Sequence, residues 1–186
     1  MDKFHINNIL KLTKLTNELD LERAISLSSK LRVLIKEDNT LKPIRLHLIK
    51  LIKDYEKNFW VNETKINEEQ IKASDKAEQL VELENKFIQK RKEIIKNKLN
   101  QYGLYQQDLA NLLGHRKNYM SELINGLRPF SSIDIIIIHR LLKIKLEFLM
   151  SPFLKDEIVN HIEQTISELK KPELNINKKD IEKTLT

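Results

Sequence analysis

Four polar residues within a six-residue stretch have the chemistry to recognise nucleobase edges: Lys117, Asn118, Ser121 and Glu122. Lysine donates hydrogen bonds to guanine, asparagine pairs with adenine, and serine and glutamate bond other base edges. A short helix predicted over about residues 116–124 would expose all four and bury Met120 on its opposite side with Leu123 or Ile124. The same residue types also occur on ordinary solvated helices, so the assignment depends on their surroundings.

The charge around these residues is strongly uneven. Residues 86–155 hold 13 Lys/Arg against 5 Asp/Glu, a net +8, whereas residues 1–85 are neutral with 15 of each. Residues 156–186 carry a net −2, so the middle segment alone would attract a polyanion. A lysine-rich solvated surface is the alternative explanation for the charge considered alone.

All the glycines of the chain lie in this basic segment: Gly103, Gly114 and Gly126. Glycine adopts positive φ without strain, so this spacing of 11 and 12 residues predicts tight turns between short helices. Leu109, Ala110 and Leu113 are expected to face inward from the second of these helices. Ala110 is small enough for two helices to cross closely, and Gly114 would make the turn between them.

The pattern from Leu104 to Gly126 resembles the Cro/C1-type helix-turn-helix family. The matching positions are Leu104, Gln106, Leu109, Ala110, Gly114, Met120, Ser121, Asn125 and Gly126. In that family the third helix enters the major groove of DNA and the glutamine contacts phosphate. Tyr105 departs from the usual Ser or Thr cap, which would cost on the order of 1 kcal/mol, and Ile124 replaces a more usual polar residue.

The resemblance implies a role for each matching polar residue. Lys117, Asn118 and Ser121 or Glu122 would read bases, and Gln106 would hold phosphate. His115 and Arg116 would meet the DNA backbone, and Arg128 would contact phosphate or instead pair with an acidic neighbour. The complete predicted DNA-binding set is Gln106, Gln107, His115, Arg116, Lys117, Asn118, Ser121, Glu122 and Arg128.

The run from Ser121 to Ser131 is similar to the narrower HigA-type antitoxin subfamily, although Leu127 stands where lysine is usual. Residues 46–59 also resemble the N-terminal part of longer members. The likeness implies a toxin partner, a ribosome-dependent mRNA endonuclease of the RelE superfamily (HigB/RelE type). Tyr55, Phe59 and Trp60 are the candidate partner-binding residues, because aromatic side chains dominate interfaces. Packing inside the N-terminal helices is an equally acceptable role for them.

Helical periodicity covers most of the remaining chain and predicts an all-α fold. Amphipathic helices are expected over about residues 21–35, after Asn17 or Asp20 as a cap, and over about 43–60, with Pro43 in the first turn. The segment 61–76 is polar. A further helix is expected from about residue 76, with Asp75 and Glu78 as a capping box, and its continuation to residue 101 is left open.

Two helices are predicted towards the C-terminus. The isoleucine-rich run 133–142 has strand propensity, but Ser131 or Ser132 as a cap and the family pattern favour a helix. Ser151 and Pro152 predict the start of a terminal amphipathic helix with apolar positions from Phe153 to Leu169. Pro172 should end it, and residues 175–186 are expected to form a loose tail.

These patterns divide the chain into three regions. Residues 1–84 are expected to form an N-terminal helical domain for toxin binding or assembly, and the resemblance implies a five-helix, lambda-repressor-like DNA-binding domain over residues 85–150. Residues 151–186 form a C-terminal helix and tail. A homodimer is expected, because readers of this type bind two half-sites. Its candidate surface is the fifth helix of the domain, through Leu146, Phe148, Leu149 and Met150, together with the terminal helix.

Several other classes of protein are disfavoured. The absence of cysteine excludes disulfides, thiolate zinc sites and a cysteine nucleophile, and the five histidines show no metal-ligand spacing. The Ala-Gly or Cys-Gly bond of self-cleaving repressors is missing, and there is no phosphate-binding glycine loop. We therefore expect no catalysis, cofactor or metal, and, with no membrane-spanning segment or targeting signal, a cytoplasmic protein.

The leading hypothesis is thus a sequence-specific DNA-binding antitoxin that neutralises its nuclease and represses its own operon. The alternative is a stand-alone Cro/C1-type transcriptional repressor whose N-terminal half senses a ligand or assembles the dimer. Both hypotheses place double-stranded operator DNA against residues 91–150. A protein-binding module without DNA affinity is disfavoured by the +8 segment.

Overall fold

The computed structural model describes residues 2–60, 67–154, 156–171 and 173–174, and the regular elements in these ranges are all helical. The helices are α1 (Ile6–Ile9), α2 (Glu18–Leu34), α3 (Lys42–Phe59), α4 (Glu68–Gln101), α5 (Gln106–Leu112), α6 (Lys117–Ile124), α7 (Ser132–Leu142) and α8 (Asp156–Glu168). The expected all-α class is therefore confirmed. The polar residues 61–66, Pro172 and the expected tail at 175–186 lie outside the described residues.

The first core is built by α1, α2 and α3. Ile9, Leu31 and Leu48 are fully buried in it, which places the apolar faces of all three helices inward. Asn17 is the N-cap of α2, as its side-chain oxygen accepts the Asp20 N–H at 2.9 Å. This bond satisfies one of the free N–H groups of the first turn, so α2 begins where the sequence indicates.

Helix α4 is 34 residues long and begins earlier than expected. Its N-cap is Asn67, whose side chain accepts the Gln70 N–H at 2.8 Å. Asp75 lies inside the helix, so the predicted start near residue 76 is wrong, and α4 continues unbroken to Gln101. At 1.5 Å per residue α4 spans about 51 Å, and the expected boundary at 84/85 falls near its middle.

The second core is formed by the C-terminal part of α4 with α5, α6, α7 and a 3₁₀ turn at Leu146–Phe148. Ile95, Leu109, Met120 and Ile138 are fully buried there. The isoleucine-rich run is helical, because Ser131 accepts the Asp134 N–H at 3.0 Å and Asp134 accepts the Ser131 N–H at 3.0 Å. This reciprocal cap and the burial of one face outweigh strand propensity.

The two cores are joined by Leu127, which follows α6 in the chain but is fully buried in the first core. Its carbonyl accepts the Ile6 N–H at 3.2 Å. An Arg23–Glu84 ion pair and a hydrogen bond from Ser26 to Asn85 attach α2 to α4. The N-terminal helices are therefore packed directly against the end of α6.

Gly126 lies so close to α4 that a side chain at this position would meet Ile88. Its φ is +73°, and a Cβ added there would lie 2.7 Å from Cδ1 of Ile88. Gly114 has a similar φ of +70° but has open space around its missing Cβ. We expect Gly114→Ala to cost about 1–2 kcal/mol in the free energy of unfolding, from backbone strain alone.

Gly126→Ala should cost a further 1–3 kcal/mol or so, because the added methyl overpacks against Ile88. Urea unfolding of the two variants measures the difference directly, since both pay the same backbone strain. Equal losses would show that Ile88 shifts without cost and that Gly126 is not needed for the packing on α4.

The C-terminal region departs from expectation. Helix α8 begins at Asp156, so Ser151 and Pro152 do not start it, and the predicted cap is wrong. The fifth helix expected around residues 146–150 is only a 3₁₀ turn. Phe153 instead packs edge-on against Phe87 of α4, with ring centroids 6.3 Å apart.

Candidate nucleic-acid interface

Helices α5 and α6 are joined by a short turn at Gly114. The His115 N–H donates to the Ala110 carbonyl at 2.8 Å, and Ala110 itself is fully buried. The Asp108 carboxylate accepts the Tyr105 N–H at 2.7 Å, which caps α5 without the usual Ser or Thr. Tyr105 makes no side-chain cap bond, so the bond expected to be lost there is absent, and Asp108 satisfies only the N–H of Tyr105.

Five of the predicted DNA-binding residues lie around one groove, and we call this set the α6 surface: Gln106, Lys117, Asn118, Ser121 and Glu122. Lys117 and Asn118 are exposed, at the first two positions of α6, while the other three are half-buried. The side chains of α5 and α6 that face away from the groove form the second core. The sequence therefore brings a lysine, two amides and a hydroxyl together on one face.

The opposite wall of this groove, about 320 Å³ in volume, comes from the connection between α2 and α3. Glu37 and Asp38 line it, and Asp38 Oδ2 accepts a hydrogen bond from Asn118 Nδ2 at 2.9 Å. Asp38 Oδ1 accepts the Thr40 N–H at 3.0 Å, which holds the connection in place. Two carboxylates thus stand against the residues expected to meet DNA.

Sequence reasoning did not identify Glu37 and Asp38 as part of this site. Asp38 is 80 residues from Asn118 in the chain, and its local pattern indicates only a turn before α3. The turn is present as a 3₁₀ element at Asn39–Leu41. Only the tertiary packing of the N-terminal helices on Leu127 places the two acids beside α6.

The remaining predicted residues have separate positions. Gln107 is exposed and donates to Asn111 at 3.1 Å, and Arg116 is exposed at the N-cap of α6. His115 Nε2 lies 2.9 Å from Asp134 Oδ1, with its ring against that of Tyr119. His115 is therefore held by the protein itself, whereas Gln107 and Arg116 are open to solvent.

Arg128 and Glu122 form an ion pair with each other. Both side chains are largely buried, and the Arg128 guanidinium lies 5.1 Å from the centre of the Tyr119 ring. This pairing is the alternative that the sequence left open for Arg128. The same contact engages the carboxylate of Glu122, so in this conformation the two side chains are paired with each other.

The three aromatic residues considered for a partner differ in exposure. Tyr55 is buried, and its hydroxyl donates to Glu18 Oε1 at 2.9 Å. Trp60 Nε1 donates to Glu18 Oε2 at 3.3 Å, so both rings belong to the N-terminal packing. Burial raises the pKa of Tyr55, and its bond to Glu18 raises it further. Phe59 is 53% exposed and stacks on Tyr55, which leaves it the accessible member of the set.

Within the described ranges, no cluster of His, Asp and Glu side chains is arranged to hold a metal ion. Among the described helices, none combines the length and apolar character needed to span a bilayer. Comparisons with protein-family models, curated proteins and solved structures found no match to this chain.

Proposed function

We propose that this protein is a sequence-specific DNA-binding repressor that places α6 in the major groove of duplex DNA. The main support is the α6 surface, where exposed Lys117 and Asn118 stand at the start of one helix beside Gln106 at the start of another. The five-element unit from the end of α4 to the 3₁₀ turn at Leu146–Phe148 would serve as the Cro/C1-type domain.

In this proposal the residues take distinct roles. Lys117 and Asn118 donate to base edges in the groove, and Gln106, Gln107 and Arg116 hold the flanking phosphates. His115 and Arg128 position α6 through Asp134 and Glu122 instead of touching DNA. Two half-sites require a dimer, and exposed apolar residues near the C-terminal helix are available for it: Leu146, Met150, Ile158 and Leu169. Leu149, which was expected to contribute to this surface, is buried in the second core instead.

Glu37 and Asp38, which form the acidic wall of the groove, oppose the binding of DNA to the α6 surface. With Glu37 and Asp38 in their present place, incoming phosphates would face two like charges. We infer that DNA binding displaces the α2–α3 connection from the α6 surface. The conformation described here is then the DNA-free form, and the N-terminal half lowers the affinity for DNA.

The double substitution Glu37→Gln and Asp38→Asn tests whether the α2–α3 connection is displaced by DNA and whether it lowers the affinity for DNA. The amide introduced at position 38 keeps an oxygen that can accept the Thr40 N–H, so the turn should survive while two negative charges are removed. Each charge that lies 4 Å from a phosphate costs about 1 kcal/mol in water, so removing two should raise the affinity for duplex DNA by about 2 kcal/mol, roughly thirtyfold. Fluorescence anisotropy with a 30-base-pair duplex selected from a random pool, at fixed salt, measures this change.

The matched control is Asp54→Asn with Glu56→Gln, which changes the net charge equally on exposed positions of α3. Asp54 lies about 18 Å along α3 from Lys42, far from the wall. A similar gain in both double variants would show a general charge effect and refute displacement of the wall. No enrichment of any duplex by the wild-type protein, even at low salt, would refute DNA binding altogether.

Neutralisation of a RelE-type mRNA endonuclease is a second candidate function. The exposed Phe59 ring, held on Tyr55 at the end of α3, favours it because rigid exposed aromatics are common interface anchors. Growth of cells that express a small basic ribonuclease encoded beside this gene, with and without this protein, tests the idea. Failure to restore growth would leave DNA binding as the proposed function without a toxin partner.

A further inference from the structure

A cavity of about 140 Å³ lies between α2, the middle of α4 and residues 126–129. Most of its wall is apolar, with contributions from Leu27, Val81, Phe87, Ile88 and Phe153. A cavity of about this volume accommodates a benzene-sized molecule. It is separate from the α6 surface, since no residue lines both.

Lys30 is half-buried and lines this cavity. Lys30 forms neither a hydrogen bond nor an ion pair with any of the described residues. Burial lowers the pKa of Lys30 to about 8, and the nearby Glu84 only partly offsets that effect. A partly desolvated cation without a protein partner is unfavourable for folding, so a bound anion beside Lys30 would stabilise the protein.

Arg91 is a second cation that lines this cavity. It is 7% exposed, its Nε has no hydrogen-bond partner, and its Nη1 reaches only the Leu149 carbonyl at 3.4 Å. The rings of Phe87 and Phe130 flank the guanidinium at 5.5 and 5.0 Å. Burial lowers the pKa of Arg91 to about 10, which keeps it charged at neutral pH.

Glu84, the carboxylate that lines the cavity, does not neutralise Lys30 and Arg91. Glu84 is bound by both Nε and Nη2 of Arg23, at 3.2 and 2.6 Å. Arg128, also in the wall, is paired with Glu122 outside the cavity. Lys30 and Arg91 therefore leave an excess of two positive charges around a small apolar space.

We propose that this cavity binds a small organic carboxylate whose apolar body is about the size of a benzene ring. The carboxylate would neutralise Lys30 and Arg91, and the body would fill the space against Phe87, Ile88 and Phe153. A bare inorganic anion would satisfy the charges but leave the apolar wall empty. The inference does not depend on DNA binding and can hold where that proposal fails.

Benzoate is the probe for this site, tested on the full chain by titration calorimetry and thermal unfolding. Benzoate should bind and raise the melting temperature, whereas benzamide, its neutral analogue, and inorganic phosphate should not. Absence of benzoate binding, or binding of benzamide or phosphate with equal affinity, would overturn the proposal.

Lys30→Met removes one cation and keeps an unbranched apolar side chain that is one atom shorter. We expect at least a tenfold loss of benzoate affinity, together with a higher melting temperature in the absence of ligand, because the desolvated charge is gone. The control Lys50→Met changes an exposed lysine of α3 and should alter neither quantity. Unchanged benzoate affinity in Lys30→Met would contradict the assigned site, and the melting curve shows whether the variant is folded.

Discussion

Replacing Leu127 with alanine is expected to lower the free energy of unfolding by about 2–5 kcal/mol, the usual range for a fully buried leucine. Leu127 is 0% exposed and inserts from the end of α6 into the core formed by α1, α2 and α3. The cavity left by its removal would lie where the two cores meet. Urea unfolding followed by circular dichroism measures the loss.

The matched control is Leu141→Ala, because Leu141 lies on α7 and is 46% exposed. Surface substitutions of this kind usually change stability by less than about 0.5 kcal/mol. Similar small losses for both variants would show that the N-terminal helices do not depend on Leu127. A large loss for Leu127→Ala alone would show that the insertion of Leu127 into the first core stabilises the protein.

Much of the helical layout could be predicted from local signals. The cap at Asn17, the reciprocal bonds of Ser131 and Asp134, and the positive φ at Gly114 and Gly126 all lie within a few residues of the turns they make. The start of α4 was missed because Asn67 and Asp75 are both acceptable cap residues, and local pattern does not rank them.

Only the part of the candidate site that depends on local spacing could be predicted from the sequence. The residues of α5 and α6 follow a spacing that identifies one exposed face, and Gln106, Lys117 and Asn118 do lie together. The position of Glu37 and Asp38 depends on a contact between residues 80 positions apart, and helical periodicity does not predict such a contact. Likewise, the pairing of Arg128 with Glu122 depends on side-chain rotamers at the end of α6.

The double substitution Lys117→Ala and Asn118→Ala should abolish the preference of this protein for its selected DNA site. Each well-made base contact contributes about 1–3 kcal/mol of discrimination, so the loss for two should be on the order of a hundredfold. Affinity for scrambled duplex should fall far less, because Gln106, Gln107 and Arg116 still face the phosphates. Anisotropy titrations with selected and scrambled duplexes at one salt concentration measure both quantities.

The chain contains a matched control for this experiment in Lys57 and Asn58, an adjacent lysine–asparagine pair exposed on α3. Alanine at both positions removes the same groups and the same charge from a surface that the proposal keeps away from DNA. If both double variants lose affinity equally, the effect is one of net charge and α6 does not read bases. If only the α6 variant loses the selected site while its melting curve stays unchanged, Lys117 and Asn118 are the residues that recognise it.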